Sequence, residues 1–247
     1  MTIRGKTAIT GFAETAFTKK PENRSHMSEY ALASKMAIED AGLTKDDIDG
    51  VIALNPVSEP AITWAEEFAE YFQWHPKYLD SVYRGGGSGN AAVLYGSMAI
   101  TNGLCKNILI VGGGVNDITT FYDGVSRQSV SESWYDFDFV YGTMWNNSSY
   151  ALIKRRYMHE FGSTDEQFAG IPVNAHYHSS MYPNSVFTNP LSKEDIMNSR
   201  MICDPLHLYE IVLPCTGTMA MILTSTKEAN KSNNQPVYIL GAGQSID

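Results

Sequence analysis

The chain has 247 residues, of which 43% are hydrophobic and 18% charged, and its formal net charge is −9. This composition is typical of a globular protein with a sizeable core. The acidic balance excludes binding of nucleic acid through a basic surface. Even the densest basic cluster, Lys154 to Arg156, has the pattern of a solvated helix face.

The sequence also restricts the cellular setting. No apolar run reaches the roughly 18 residues of a membrane span, and the first residues lack the apolar stretch of a signal peptide. The three cysteines, Cys105, Cys203 and Cys215, are odd in number and show no metal-ligand spacing. We therefore expect a reducing, cytoplasmic location, no disulfides, no structural zinc or other metal, and no membrane span.

The first 115 residues alternate between strand and helix patterns. Helix 89–103 is almost wholly apolar or small, which predicts burial on all sides, and strand 107–114 is apolar enough for a sheet covered on both faces. This alternation predicts an α/β sheet with right-handed crossovers. The predicted elements are strand 7–9 ending at Gly11, helix 25–43 with Ser28 as N-cap, strand 50–54, helix 62–74, strand 78–83, helix 89–103 and strand 107–114.

Residues 116–190 show a different pattern, rich in Ser, Asn, Tyr, Trp and Phe, that predicts an inserted segment. Helices are expected at 149–162, at 163–181 with a Ser163–Glu166 capping box and a break near Pro172, and at 190–200 with Ser192 as cap. An insertion of this length is usually functional. Residues 211–247 return to strand patterns at 218–224 and 236–243, with a short helix between them.

Several collinear segments resemble the thiolase superfamily: "GFAETAFTKK", "ALASKMAIEDAGLTKDDIDGV", "GSGNAAVLYGSMAITNGLCKNILIVGGG", "YALIKRRYMHEFGSTDEQFA" and "SRMICDPLHLYE". The segment "HYHSSMYPNSVF" is similar to the loop of the sterol-carrier-protein/lipid-transfer type of thiolase. The resemblance implies an α/β thiolase-like half, βαβαβαββ, with a mixed five-stranded sheet, buried helices and an inserted loop domain.

The same resemblance assigns domains. Residues 1–115 would form the first part of the N-terminal domain, 116–210 the loop domain, and 211–247 the return strands. The second half of the family fold, which supplies an active-site histidine and a second cysteine there, would be absent. Apolar helix 89–103 supports this interpretation, because a helix without a polar face needs cover that this chain does not obviously supply.

The stretch "YRGGGSGN" is where the family carries its nucleophilic cysteine, at the start of a buried helix whose positive end lowers the pKa of the thiol. Aligned on Ser88 and Gly89, the nucleophile position is Gly86, a degenerate site that forms no thioester. Ordinary thiolysis through this residue is therefore excluded on that alignment.

Other functions for the glycine stretch are weaker. Ser88 loosely fits a serine elbow, but a helix cap is favoured over a nucleophile. No Gly-Lys-Ser/Thr follows, which disfavours a phosphate loop, and the dinucleotide fingerprint fails in spacing. The backbone N–H groups of residues 85–89 remain as donors to a thioester or carboxylate oxygen. The predicted substrate-binding residues are Arg84, Gly85, Gly87, Gly89 and Tyr182, with a surface or ion-pairing role as the alternative for Arg84.

In the loop segment, His176 and His178 are candidates for catalysis, with a structural role equally open. Cys215 is a weak replacement nucleophile, since "CTGT" departs from the family pattern, whereas Cys105 and Cys203 are expected to be structural. An aromatic run fits an acyl or sterol tunnel, an ordinary core or an oligomer interface. Its members are Trp134, Tyr135, Phe137, Phe139, Tyr141 and Trp145.

Three functions follow from the resemblance. The first is a retro-aldol lyase on β-hydroxyacyl-CoA side chains, as in steroid degradation, since a branch of the family lacks the cysteine. The second is an acyltransferase subunit that needs a second half in trans, and the third is a non-catalytic acyl-CoA or lipid-binding scaffold. The CoA thioester is then the substrate, with no covalently bound cofactor. Expected partners are a second copy, a C-terminal thiolase half, or a zinc-ribbon/OB-fold protein that binds CoA.

Overall fold

The computed structural model describes residues 2–21, 23–116, 136–143 and 145–245. Trp134 and Tyr135 therefore lie outside the described residues. The chain divides into two compact units, Met1–Val125 with Cys215–Asp247, and Ser126–Pro214. Among the described helices, none combines the length and the apolar character that crossing a membrane requires.

The first unit is built on one mixed sheet. Its elements in chain order are β1 (Thr7–Glu14), α1 (His26–Asp40), β2 (Gly50–Leu54), α2 (Trp64–Tyr71), β3 (Tyr78–Val82), α3 (Ser88–Thr101), β4 (Asn107–Gly114), and, after the second unit, β7 (Gly217–Ser225), α7 (Thr226–Ala229) and β8 (Val237–Tyr238). The strand order is β3-β2-β4-β7-β1-β8. β2 is parallel to β3 and β4, and β7 is antiparallel to β4 and β1.

The α/β class and the mixed sheet are confirmed, with differences at the strand ends. β1 runs on to Glu14 past a register irregularity between Ile9 and Gly11, because β7 pairs with it as far as Glu14. The last strand is shorter than predicted: Val237 and Tyr238 lie opposite Ile9 and Ala8 in the sheet, and the backbone of Ile239 adds hydrogen bonds to Thr7 and Gly5. This two-residue strand at the edge is the sixth of the sheet.

Helices cover both faces of this sheet. Alternate residues of β4 enter different cores: Leu109 and Val111 pack with α1 and α2, whereas Ile108 and Ile110 pack with α3. This alternation explains the continuous apolar run of the strand, as predicted for a sheet that is buried on both faces.

Helix α3 is not buried on all sides, which corrects the prediction. Ala92 and Ala99 face the sheet, while Asn90 is exposed and Met98 is 41% exposed. Gly96 lies against the sheet, where a Cβ would approach Leu223 to 3.0 Å. No described residue therefore covers the outer face of this apolar helix.

Two predicted helix caps are wrong by a few residues. Ser25, not Ser28, is the N-cap of α1, and Ser28 is the third residue of its capping box. In the second unit, Thr164 rather than Ser163 is an N-cap, and its partner is Gln167. In each case a second hydroxyl residue lies one or three residues away along the chain. The sequence pattern of a helix cap therefore fits either of the two residues. Ser192 is an N-cap as predicted, and its hydroxyl accepts a hydrogen bond from the amide of Asp195.

The second unit consists of helices and one short hairpin. Its elements are α4 (Trp145–Phe161), α5 (Asp165–Ser180), α6 (Lys193–Asn198), β5 (Met201–Cys203) and β6 (Leu206–His207). α4 ends at Gly162, whose φ of 66° is left-handed, as predicted. α5 continues through Pro172, which is buried within it, so the expected break does not occur.

The basic cluster of α4 is not uniformly solvated. Arg155 and Arg156 are exposed, but Lys154 is only 5% exposed. Its Nζ donates to the Pro205 carbonyl at 2.9 Å and to Glu210 Oε1 at 2.7 Å, and it lies 3.0 Å from Asp165 Oδ1. Lys154 is thus a buried, paired cation that joins α4, α5 and the 205–210 segment, which corrects the prediction of a solvated face.

Candidate active site

The glycine stretch lies at the carboxyl edge of the sheet. Because β3, β2 and β4 are parallel neighbours, the loops after them begin at the same edge. In open α/β sheets, ligands usually bind outside the carboxyl ends of the strands. Residues 83–87, which join β3 to α3, therefore lie where a site is expected.

Hydrogen bonds of Ser88 close this loop. Its Oγ accepts from the Arg84 amide at 2.8 Å and donates to the Gly85 carbonyl at 2.8 Å, and the residue is buried. Gly87, not Ser88, is the N-cap of α3, which corrects the cap assignment. A hydroxyl whose hydrogen is held by a carbonyl is poorly placed for attack, so the geometry favours a structural Ser88 over a nucleophile.

The loop has room for a side chain at position 86. A Cβ on Gly86 would meet no heavy atom within 4 Å, and its φ is not in the left-handed range. Gly85 differs, because its φ of +55° is a conformation that L side chains rarely adopt. Glycine at 86 is therefore not imposed by packing or by backbone conformation.

The start of α3 offers hydrogen-bond donors. Gly87 has no side chain to cap the helix, and within the described part of the chain neither the Gly89 nor the Asn90 amide donates to a partner. A cavity of about 750 Å³ adjoins them. It is lined by Arg84, Gly87, Asn90, Ala91, Leu94, Tyr95 and residues 243–245. Arg84 is exposed, so the cavity combines free N–H groups, one cation and an apolar wall.

His26, which sequence reasoning missed, forms a second polar cluster at the same edge. Its ring is 8% exposed; Nδ1 accepts from the Val115 amide at 3.1 Å, and Nε2 lies 3.3 Å from Ser58 Oγ. Burial lowers the pKa of His26, and the nearby Glu59 partly opposes this. The sequence offered one indication of this role: His26 begins a capped helix and lies four residues before Tyr30.

Tyr30 continues that face of α1. Its hydroxyl donates to the Leu54 carbonyl at 2.7 Å and lies 3.2 Å from the Gly113 carbonyl. Burial raises the pKa of Tyr30 above its ordinary value of 10.0, so the hydroxyl stays protonated. α1 thus holds the carboxyl ends of β2 and β4 with one buried side chain.

The two loop histidines lie in different environments of the second unit. His176 is 8% exposed, packs against the rings of Phe187 and Tyr209, and its buried Nδ1 has no partner among the described residues. His178 and Tyr182 are exposed. Of the aromatic run, Phe137, Phe139 and Tyr141 are 40 to 86% exposed, which is unlike an ordinary core.

Cys105 and Cys215 show no sign of activation. Burial raises the pKa of Cys105 to about 12, and burial also raises the pKa of the Cys215 thiol. Beside Cys215, Thr216 Oγ1 accepts from the Asn116 amide at 3.0 Å, so this segment closes the start of β7. No group of three or more metal-ligating side chains occurs within residues 2–245 as far as they are described.

Comparison with known proteins identifies relatives across nearly the whole chain. The chain is 29% identical over 249 residues to a steroid side-chain-cleaving aldolase of Thermomonospora curvata and 28% identical over 251 residues to a 17-hydroxy-3-oxo-4-pregnene-20-carboxyl-CoA lyase of Mycobacterium tuberculosis. It is also 28% identical over 243 residues to an acetyl-CoA acetyltransferase of Methanothermobacter thermautotrophicus. These alignments cover 98%, 98% and 96% of this chain, but only 62%, 63% and 61% of the relatives. No protein-family model matches the chain.

Solved structures agree with these relatives. An Ltp2–ChsH2(DUF35) aldolase superposes with a TM-score of 0.83 and 27% identity, over 97% of this chain and 60% of the other. A monomeric SCP2-thiolase-like protein of Mycobacterium smegmatis superposes with a TM-score of 0.68 at 17% identity, over 92% of this chain and 47% of the other, which shows the fold alone. The homologues and structural neighbours of this chain are SCP2-thiolase-like proteins, and its architecture is that of one thiolase-like half.

Proposed function

We propose that this chain is part of a carbon–carbon lyase that cleaves a β-hydroxyacyl-CoA by a retro-aldol reaction. The observation that carries the proposal is Gly86. The resemblance to thiolases implies that Gly86 stands at the nucleophile position, and the loop has both the space and the backbone conformation for a side chain there. The aldolase and lyase named among the relatives support the same reaction class.

Retro-aldol chemistry needs no thiolate. A base takes the proton of the β-hydroxyl group, the bond between the α and β carbons breaks, and the electron pair becomes the enolate of the shortened acyl-CoA. The hydroxyl carbon leaves as a ketone or aldehyde, and a proton returned to the α carbon completes the reaction. Free N–H groups that face the thioester oxygen would stabilise the enolate.

The residues at the start of α3 suit that second role. The Gly89 and Asn90 amides have no partner within the described chain, and the positive end of the helix adds to their effect. Gly85 and Gly87 shape the loop, and Arg84 lies at the cavity where CoA phosphates or a carboxylate could pair with it. His176, His178 and Tyr182 remain proposed contacts from the loop domain, with His176 as candidate base.

We further propose that the active form is an assembly. The relatives are longer than this chain, and the name of the Ltp2–ChsH2(DUF35) aldolase includes a DUF35 component. A C-terminal thiolase half, a zinc-ribbon/OB-fold CoA-binding protein or a second copy of the chain would each add surface to the cavity.

The test is to incubate the chain, alone and with such a partner, with 17-hydroxy-3-oxo-4-pregnene-20-carboxyl-CoA. A lyase releases a 17-ketosteroid and a shortened acyl-CoA, consumes no free CoA, and gives no acyl-protein mass. Tyr182→Phe tests a proposed substrate-binding residue. Met36→Lys, on α1, is the control variant away from the proposed site. An acyl adduct on a cysteine or on Ser88, or cleavage that requires free CoA, would contradict the proposal.

An acyltransferase is the second candidate, because an acetyl-CoA acetyltransferase matches the chain at 28% identity. It requires an activated nucleophile, whereas burial raises the pKa of the Cys105 and Cys215 thiols. Transfer of a labelled acetyl group to CoA only after a second thiolase half is added would favour this candidate.

A further inference from the structure

Three hydrogen-bond contacts join His26, Ser58 and Val115 in a closed ring. The Val115 amide donates to His26 Nδ1 at 3.1 Å, Ser58 Oγ donates to the Val115 carbonyl at 3.1 Å, and Ser58 Oγ lies 3.3 Å from His26 Nε2. Because Nδ1 accepts, the ring proton of the neutral imidazole is on Nε2, and it points to the lone pairs of Ser58. The ring is complete only while His26 is neutral.

This arrangement is not a serine–histidine–acid relay. In such a relay the serine and the acid bond to opposite nitrogens of the imidazole. Here Glu59 Oε2 lies 3.4 Å from Nε2, the same nitrogen that faces Ser58, and a backbone amide occupies Nδ1. The geometry therefore indicates a structural contact rather than activation of Ser58.

The contacts of Ser58 connect the loop between β2 and α2 to the end of β4. Ser58 belongs to residues 55–63 between β2 and α2, and Asn55 closes this loop on itself. Its Nδ2 donates to the Ala61 carbonyl at 2.7 Å, and its Oδ1 accepts from the Ala61 amide at 2.9 Å. Ser58 and its contacts to His26 and Val115 join this self-closed loop to the end of β4.

We propose that His26 is a pH-operated latch, and that protonation of its ring releases the end of β4, at Val115, from α1. A proton on Nδ1 takes the lone pair that accepts the Val115 N–H, so two N–H groups would then point at each other. The imidazolium keeps Glu59 at Nε2 as its counter-ion, so the positive charge of the released state has a partner already in place.

The charges around the ring set the direction of the effect. Glu59, on the loop, is the charged side chain within 4 Å of His26 among the described residues. From α2 the edge of Trp64 packs at 6.1 Å between ring centroids, and from β4 the Gly114 backbone lies so close that a Cβ there would be 2.9 Å from Nδ1. Glu29 and Tyr30 follow on α1 itself, where Glu29 pairs with Arg24 at 3.6 Å.

The sign follows from linkage. In the latched state the pKa of His26 is below its ordinary value of 6.5, so the released state binds the proton more readily. The latch is therefore fully closed above about pH 6.5. It weakens by up to about tenfold per pH unit as the pH falls from there towards the latched-state pKa.

Amide hydrogen exchange of Val115 in the full chain tests the latch. We expect its protection factor, corrected for the intrinsic rate, to fall by up to about tenfold between about pH 7.5 and about pH 5.5. His26→Asn places an acceptor near the Nδ1 position but does not titrate, so its protection should not depend on pH. Glu59→Gln should move the transition to lower pH.

His75→Asn is the matched control, because His75 is exposed and its replacement should leave the transition unchanged. Equal Val115 protection at both pH values in the unaltered chain, or the same pH dependence in His26→Asn, would overturn the proposal. Imidazole ¹⁵N shifts of the unaltered chain provide a reading that needs no variant: an Nδ1–H tautomer at neutral pH would also overturn it.

Discussion

At the scale of single residues, adjacent glycines in the loop before α3 have unequal requirements. Gly85 has a φ of +55°, whereas Gly86 has no left-handed φ, and a Cβ added to it would have no neighbour within 4 Å. Only the first glycine is needed for the fold of the loop, and the second is open to side chains.

We predict that Gly86→Ala changes the free energy of unfolding by less than about 1 kcal/mol, in either direction. Gly85→Ala should cost about 1–2 kcal/mol, because an L residue is strained at that φ. Urea unfolding followed by circular dichroism compares the two variants. Equal losses would show that position 86 is also constrained by packing or by backbone conformation.

The sequence predicted features that depend on neighbouring residues. It did not predict contacts between residues that are far apart in the chain. The position of Gly86 followed from its neighbours in one loop. His26 gave no comparable signal, because its partners Ser58 and Val115 are 32 and 89 residues away. The burial of Lys154 was missed for the same reason, since Pro205 and Glu210 are 51 and 56 residues distant.

At the scale of elements, Lys154 joins α4 to α5 and to the 205–210 segment. Its ammonium lies within 3.0 Å of Asp165, Glu210 and the Pro205 carbonyl, and the Phe168 ring lies 5.1 Å away. Removing the cation leaves Glu210, whose side chain is only 7% exposed, without its counter-ion.

We predict that Lys154→Met destabilises the second unit by about 3–5 kcal/mol, as expected when one partner of a buried ion pair is removed. Arg156→Met is the control; Arg156 is exposed and pairs with Glu160 one turn away, so its loss should cost about 0.5 kcal/mol or less. Hydrogen exchange of amides in α4 and α5 measures both. Similar exchange in the two variants would mean that the Lys154 pairs contribute little.

The bounds of β2 and β4 were predicted closely, because each is a short apolar run between turn residues. Edge and cap positions were predicted less well. β8 has only two residues, since only β1 lies beside it, and Ser28 and Ser163 each stood near a second hydroxyl residue able to cap the helix. Which hydroxyl residue caps a helix depends on which backbone amides are unpaired in the folded chain.

At the scale of the whole molecule, apolar side chains on α3 and on the turn after it have no cover from the part of the chain that the structure describes. Met98, on a helix whose composition is that of a buried one, is 41% exposed, and Leu104, in the turn after it, is 55% exposed. A thiolase-like half with this face open should associate with itself or with a partner.

We predict that the chain sediments at a mass above its 27.3 kDa monomer, and that Met98→Lys shifts it towards the monomer. Met36→Lys, the same change on the outer side of α1 where Met36 is 39% exposed, should have little effect. Analytical ultracentrifugation at several concentrations decides the outcome. A monomer at all concentrations would contradict the prediction, and so would equal effects of both lysines.

The loop before α3 has a consequence for how such a protein can change over time. Its shape is held by the Ser88 hydroxyl and by the conformation of Gly85, and position 86 takes no part in either. A change of one codon can therefore replace glycine by cysteine at position 86, or the reverse, with little effect on folding stability. A reaction class could be gained or lost there as a neutral step, with the rest of the scaffold inherited intact.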